Sequence, residues 1–374
     1  MAVHNITDPD AARTALTGWL GAKLRDPENV TVTEVTIPTS SGLSNETVLF
    51  SARSTLAGTE REQRYVARVQ PTGPAVHPAY DLATEARLLR TLHADGTVPV
   101  PEVHWHEPDP TVLGAPFTVM AHVDGRVPSD DPPYSVAGWV LDLTDDQRRT
   151  LSTNAVAALA AIHQVDWKVH DLAFLDRPEH GAIGLDQQLG YIRHAYHWTT
   201  GGQDSERNPT VEAAFDWVDA NRPTGDEPTG LTWGDARIGN MIFADDLTVA
   251  AVLDWELAAL ASPEMDLGWW LFLQRHHTQG IGASLPAGLL DHNELAAHYA
   301  QLTSYTPRHL DFYEIFATLR GAIQMQRVGG LMIDAGLVPA EAPIKTANPA
   351  NQLLAELLHL PAPEGTAQSW IGNR

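Results

Sequence analysis

The sequence contains no cysteine. That absence removes disulfides, zinc–thiolate centres, iron–sulfur clusters and thiol nucleophiles together. A reducing, cytoplasmic setting is expected. Lysine is almost missing as well. Lys23, Lys168 and Lys345 are the only three, and the other 21 cations are arginine. Any phosphate-binding cation is therefore expected to be Arg. No stretch reaches the ~18 consecutive apolar residues of a membrane helix, so no membrane span is expected. Met1-Ala2-Val3-His4-Asn5 lacks a basic region followed by an apolar run, so no signal peptide is expected. Positive charge is in deficit: Lys+Arg is 24 against Asp+Glu 47, a formal net charge of −23. That excess argues against nucleic acid and anionic membranes as partners. It leans toward a cationic acceptor.

The 374 residues are 43% hydrophobic, enough for a sizeable core, and the length suggests two domains. Thr7-Asp8-Pro9 opens a helical pattern over 8–24. Residues 30–37, 46–53 and 63–70 read as strands, with Gly58 in the last connection. A helix is predicted over 81–93, with Leu82, Glu85, Leu88, Leu89 and Leu92 on one face. Strands follow near 102–107 and 116–122. Past residue 125 the pattern turns helical. Thr144-Asp145-Asp146-Gln147 is a capping-box signature opening a long helix. Further helices are predicted near 185–198, 208–220, 264–276, 291–303, 307–330 and 348–358, around a β-rich piece at 231–256. The expected fold class is α+β. It has a small antiparallel-sheet lobe over 1–122 and a larger, mainly helical lobe over 123–374.

Chemistry concentrates in Leu231-Thr232-Trp233-Gly234-Asp235-Ala236-Arg237-Ile238-Gly239-Asn240, followed by Val252-Leu253-Asp254-Trp255-Glu256. Met241-Ile242-Phe243 and Val249 to Leu253 can pair as a hairpin. The hairpin would bring Asn240 beside Asp254, with Asp235 on the same loop. Such hard oxygen donors suit Mg²⁺. A nearby carboxylate can take a proton from an attacking hydroxyl, the division of labour of phosphoryl transfer.

These two motifs together resemble the aminoglycoside phosphotransferase family of the kinase-like superfamily. The resemblance is nearest the branch related to the phosphotransferase domains of acyl-CoA dehydrogenase-type proteins, and it extends over roughly 30–330. It implies a two-lobed protein-kinase-like fold. It implies an ATP- and Mg²⁺-dependent phosphotransferase acting on a small-molecule hydroxyl, with GTP as the alternative donor. Asp235 would be the base, and Asn240 and Asp254 the metal ligands. Arg237 would meet the γ-phosphate or form a surface salt bridge. Pro263-Glu264-Met265-Asp266 is also family-like, with Asp266 bracing the catalytic loop. Ser41, Gly42, Ser44 and Asn45 would cover the nucleotide. Arg68 stands where the family usually has Lys, with Glu85 as its expected partner. Backbone groups of Ala121 and Val123 would meet adenine.

Trp233 stands where the family often has His, so packing must replace that side chain's ordering role. His104 and His106 alternate along a strand and read as structural. His276-His277 is expected to meet helix-terminal carbonyls, and Trp269-Trp270 to pack in the core or, alternatively, to line an acceptor pocket. The substitutions at Arg68 and Trp233 leave a second reading, a catalytically weak kinase-like nucleotide-binding interaction protein. A metal-dependent hydrolase is a third, but no His-rich ligand spacing supplies it.

Overall fold

The computed structural model describes residues 7–24, 28–38, 45–56, 58–225 and 227–365. Of the four expected nucleotide-covering residues, Ser41, Gly42 and Ser44 lie outside the described residues, while Asn45 lies inside them and is buried. The chain divides into two compact units. The first comprises Met1–Ala94 and Val100–Val123, and the second Asp95–Pro99 and Asp124–Arg374.

The first unit begins with α1 (Pro9–Lys23). Asp8 caps it by accepting the Ala11 N–H at 2.8 Å, and Pro9 supplies a preset φ in the first turn. Then come β1 (Glu28–Thr36), β2 (Glu46–Leu56), β3 (Thr59–Val69), α2 (Leu82–Asp95), β4 (Val103–Glu107) and β5 (Phe117–Ala121). The strands form one antiparallel sheet in the order β1-β2-β3-β5-β4. Leu16 and Leu20 of α1 bury against Val32, Val48, Ala67 and Phe117. Each such leucine contributes ~1.5–3 kcal/mol.

Glu107 joins α1 to this sheet. Its carboxylate accepts Trp19 Nε1–H at 2.8 Å and meets Lys23 Nζ at 2.9 Å. Those two partners pull its pKa down to about 2 despite burial. His104 and His106 bond Gln63 and Thr118, in keeping with structural roles.

In the second unit, α3 (Asp145–His163) opens with the Thr144/Gln147 capping box. It is followed by α4 (Leu185–Thr200), α5 (Pro209–Ala220), β6 (Gly230–Thr232), β7 (Met241–Phe243), β8 (Val249–Val252) and β9 (Ala259–Ala261). The chain then forms α6 (Glu264–His276), α7 (His292–Thr303), α8 (Leu310–Asp334) and α9 (Pro349–Leu357). Strand β9, absent from the sequence reading, pairs with β6. Its Ala-Leu-Ala composition carries no β-branched signal.

Helices α6 and α8 cross closely, with a glycine on each side. A Cβ at Gly268 would stand 2.4 Å from the Tyr313 carbonyl oxygen, and one at Gly321 would stand 2.3 Å from the Phe272 ring. The crossing therefore requires both glycines. It also fixes where the first turns of α6 stand relative to α8. No helix among the described residues is long and apolar enough to cross a membrane.

Candidate active site

The hairpin forms as expected. Met241 pairs with Val252 and Ile242 with Ala251. The ladder extends one step further, because Leu253 N–H donates to the Asn240 carbonyl at 2.8 Å. That bond sets Asn240 beside the start of the Asp254 turn. Asp254 has φ +63°, a left-handed conformation that Asp tolerates better than most residues.

The loop before the hairpin is held from below by Asp266, in the first turn of α6. Its Oδ2 accepts the Trp233 N–H at 2.6 Å and its Oδ1 the Gly234 N–H at 2.8 Å. His163 Nε2 meets Oδ2 at 2.9 Å, while His163 Nδ1 lies 2.8 Å from the Tyr299 hydroxyl. The network assigns the Nε2–H tautomer to His163, with Tyr299 donating. A buried carboxylate with three donors is well satisfied, and it ties α3, α6 and α7 to the loop. Gly234 has φ +93°, and a Cβ there would lie 2.2 Å from the Leu257 carbonyl oxygen. Trp233 is fully buried, and its Nε1–H donates to the Leu253 carbonyl at 2.8 Å. Beyond packing, the indole links the loop to the residue preceding Asp254.

Asp235 receives three donors. Trp269 Nε1–H reaches Oδ1 at 2.6 Å, and Asn240 Nδ2 and Arg237 Nε reach Oδ2 at 2.7 and 3.1 Å. Burial pushes its pKa up. The Arg237 charge, the Trp269 bond, the Arg320 charge and the Asn240 bond together outweigh it and hold the carboxyl below its usual range. Asn240 Nδ2 also meets the Asp235 carbonyl at 3.1 Å, so the amide nitrogen is committed and the amide oxygen is the ligating atom that remains.

Arg237 is half-buried, and its guanidinium is bonded to two carboxylates, Asp235 and Asp130. Asp130 lies in the irregular stretch after residue 124. Burial raises its pKa first, with Arg237 opposing that rise. Gly239 leaves the room it needs, since a Cβ there would stand 2.5 Å from the Asp130 carboxylate. His276 and His277 differ from expectation. Instead of meeting helix-terminal carbonyls, His277 Nδ1 stands 4.0 Å from Asp130 and its ring packs edge-on to Tyr134.

Asp130 and Arg320 escaped the sequence reading, and the bond from Trp269 to the base was not foreseen. Trp269 lies three positions after Asp266, on the same helical face, a spacing that could have flagged it. Asp130 sits in a stretch with no periodicity. Arg320, on α8, donates through Nη2 to the Gly234 carbonyl at 2.6 Å and lies over the Trp269 ring at 3.5 Å.

In the first unit, Arg68 of β3 meets Glu85 of α2 at 3.8 Å, and Glu85 is buried. Ala121 donates its N–H to the Glu102 carbonyl at 2.9 Å. Val123 follows β5 in irregular backbone. Among the described residues, no group of three or more His, Asp or Glu is arranged as a metal site.

A small antiparallel sheet unit, a mainly helical unit and an Asp–Asn–Asp loop and hairpin together define a kinase-like protein. The chain belongs to the phosphotransferase enzyme family, whose model matches residues 36–305. It is 27% identical over 332 residues to the probable acyl-CoA dehydrogenase IBR3 of Arabidopsis thaliana, a match covering 85% of this chain and 39% of that protein. The chain thus spans about two fifths of that relative's length. A candidate aminoglycoside phosphotransferase from Ralstonia eutropha superposes with TM-score 0.64 at 23% identity, over 92% of this chain and 95% of that one. The GDP complex of an aminoglycoside 2'-phosphotransferase of type IIIa superposes with TM-score 0.60 at 13% identity, over 94% and 98%. At these identities the structural likeness establishes the kinase-like fold.

Proposed function

We propose that the protein transfers the γ-phosphate of ATP, with Mg²⁺, to a hydroxyl of a small molecule. The observation that carries this reading is the state of Asp235. It is a carboxylate held by three donors, on a loop whose Asn240 is laddered to the residue before Asp254. Asp235 would accept the proton of the acceptor hydroxyl as that oxygen bonds to the γ-phosphorus. The bond from phosphorus to the β,γ-bridging oxygen breaks, and ADP leaves. Arg237 and Trp269 are positioning residues that fix the carboxylate and keep it charged.

The donor set at the hairpin fits a hard cation. Asn240 offers its amide oxygen and Asp254 its carboxylate, and Mg²⁺ commonly takes few protein ligands and completes its shell with phosphate and water. When bound, the ion would neutralise phosphate charge. Arg68, oriented by Glu85, would hold phosphate oxygens. Arg can do so bidentately where the family more often has Lys. Ser41, Gly42, Ser44 and Asn45 would cover the phosphates, and the Ala121 carbonyl and Val123 backbone would meet the base. Residues 1–122 would thus serve the nucleotide, and 123–374 the catalytic loop and acceptor. The GDP-bound neighbour keeps GTP as the alternative donor.

Asp235→Asn tests this reading. Turnover should fall by ~100-fold to 10,000-fold, the range for losing a general base, with nucleotide binding retained. Undiminished turnover would overturn the assignment and favour an interaction protein.

A further inference from the structure

We infer that the acceptor carries a carboxylate near its phosphorylated hydroxyl, and that Arg320 binds that carboxylate. The inference rests on the phosphotransferase reading and specifies its acceptor class.

A guanidinium taken partly out of water is costly unless it is paired. Three other half-buried arginines are paired in this way: Arg68 meets Glu85, Arg237 meets Asp235 and Asp130, and Arg275 meets Glu314. Among the described residues Arg320 has no carboxylate at ion-pair distance, although it feels the charges of Asp235 and Asp266. It donates to the Gly234 carbonyl, and its Nε is buried with no partner among the described residues. The nearby carboxylates are already served. Asp235 has Trp269, Asn240 and Arg237, while Asp266 has His163 and two backbone N–H groups. Burial accordingly weakens the hold of Arg320 on its proton, pulling its pKa down to about 10.

The position of this cation suits a ligand. Arg320 stacks face-on to Trp269, whose N–H meets Asp235, so a single indole ring separates the guanidinium from the base. A guanidinium stacked on an aromatic ring keeps its N–H donors in one plane, a fork that matches a carboxylate. The Tyr191 hydroxyl on α4 feels Arg177 and Arg320, with Glu256 opposing them. Two turns along α8, Arg327 stacks over Trp198 of α4 at 4.4 Å.

The test is nucleotide-dependent phosphorylation by the full chain of lactate, β-hydroxybutyrate and ε-hydroxycaproate. Each acid is compared with its own amide and with kanamycin. At least one acid should exceed its amide in kcat/KM by about tenfold or more, the worth of a charge-assisted hydrogen bond. Arg320→Gln should erase that preference by raising the acid's KM, with the ATP KM unchanged. Arg320→Lys keeps a charge and a stem, so it guards against misfolding of the Gln variant. It should raise the acid's KM more than the amide's. A purely loop-bracing Arg320 would lower kcat for acid and amide alike, and an unchanged acid-to-amide ratio in both variants overturns the inference. Preference for kanamycin or the amides overturns it too, as does intact Mg–ATP binding with no acid phosphorylated. Absence of Mg–ATP binding would instead remove the phosphotransferase reading, and this inference with it.

Discussion

The indole N–H of Trp269 donates to Oδ1 of Asp235 at 2.6 Å. Trp269 stands on α6 three residues beyond Asp266, which holds the backbone of the same loop. One helical face therefore fixes both the main chain before the base and the carboxylate itself. Arg237 and Asn240 hold the other carboxylate oxygen, so the side chain has little freedom to turn.

Trp269→Phe keeps the ring and removes the donor. Turnover should drop about tenfold, as for loss of one hydrogen bond to a charged group. The acid limb of the pH profile should also move. Asp235 acts when ionised, and its lowered pKa keeps it ionised well into acid. Losing a donor raises that pKa, so activity should fail at a higher pH than in the parent. An unmoved limb would mean that the bond does not tune the base.

Asp266→Asn preserves shape but turns an acceptor pair into one acceptor and one donor facing N–H groups. Stability should fall by ~2–4 kcal/mol, since buried donors lose their carboxylate. Chemical denaturation measures this. A variant as stable as its parent would contradict the bracing role assigned to the Trp233 and Gly234 N–H bonds.

Acid should destabilise the protein through His276 and His277. Burial lowers both pKa values from the ordinary 6.5 to about 3. The unfolded chain thus takes up protons near pH 6.5 that the folded chain refuses until about pH 3. By linkage, stability should decline steadily as pH falls across that window. His276→Phe should make the decline of Tm with pH shallower, whereas the same slope in parent and variant would show that His276 is not held neutral.

The core of the site was legible because its members are close in sequence. Asp235, Asn240 and Asp254 lie on one loop and one hairpin, and period-two apolar residues set the hairpin register. The Arg68–Glu85 pair was legible only through family resemblance, as nothing local links a strand cation to a helix acid. Asp130 and Arg320 reach the loop from sequence separations of 107 and 86 residues. Tertiary packing alone brings them there, and no local periodicity marks them. Trp233 was read as packing only, yet its N–H spans from the loop to Leu253. A side chain's burial can be anticipated from its type, but its hydrogen-bond partner depends on what the fold places opposite.

The most direct measurement is calorimetric titration of the protein and of Asp254→Asn with ATP, with and without Mg²⁺. The expected result is Mg²⁺-dependent ATP binding by the parent and loss of the Mg²⁺-dependent part in Asp254→Asn. Mg²⁺-independent binding that is identical in both proteins, or no binding in either, would contradict a metal–nucleotide site at Asn240 and Asp254.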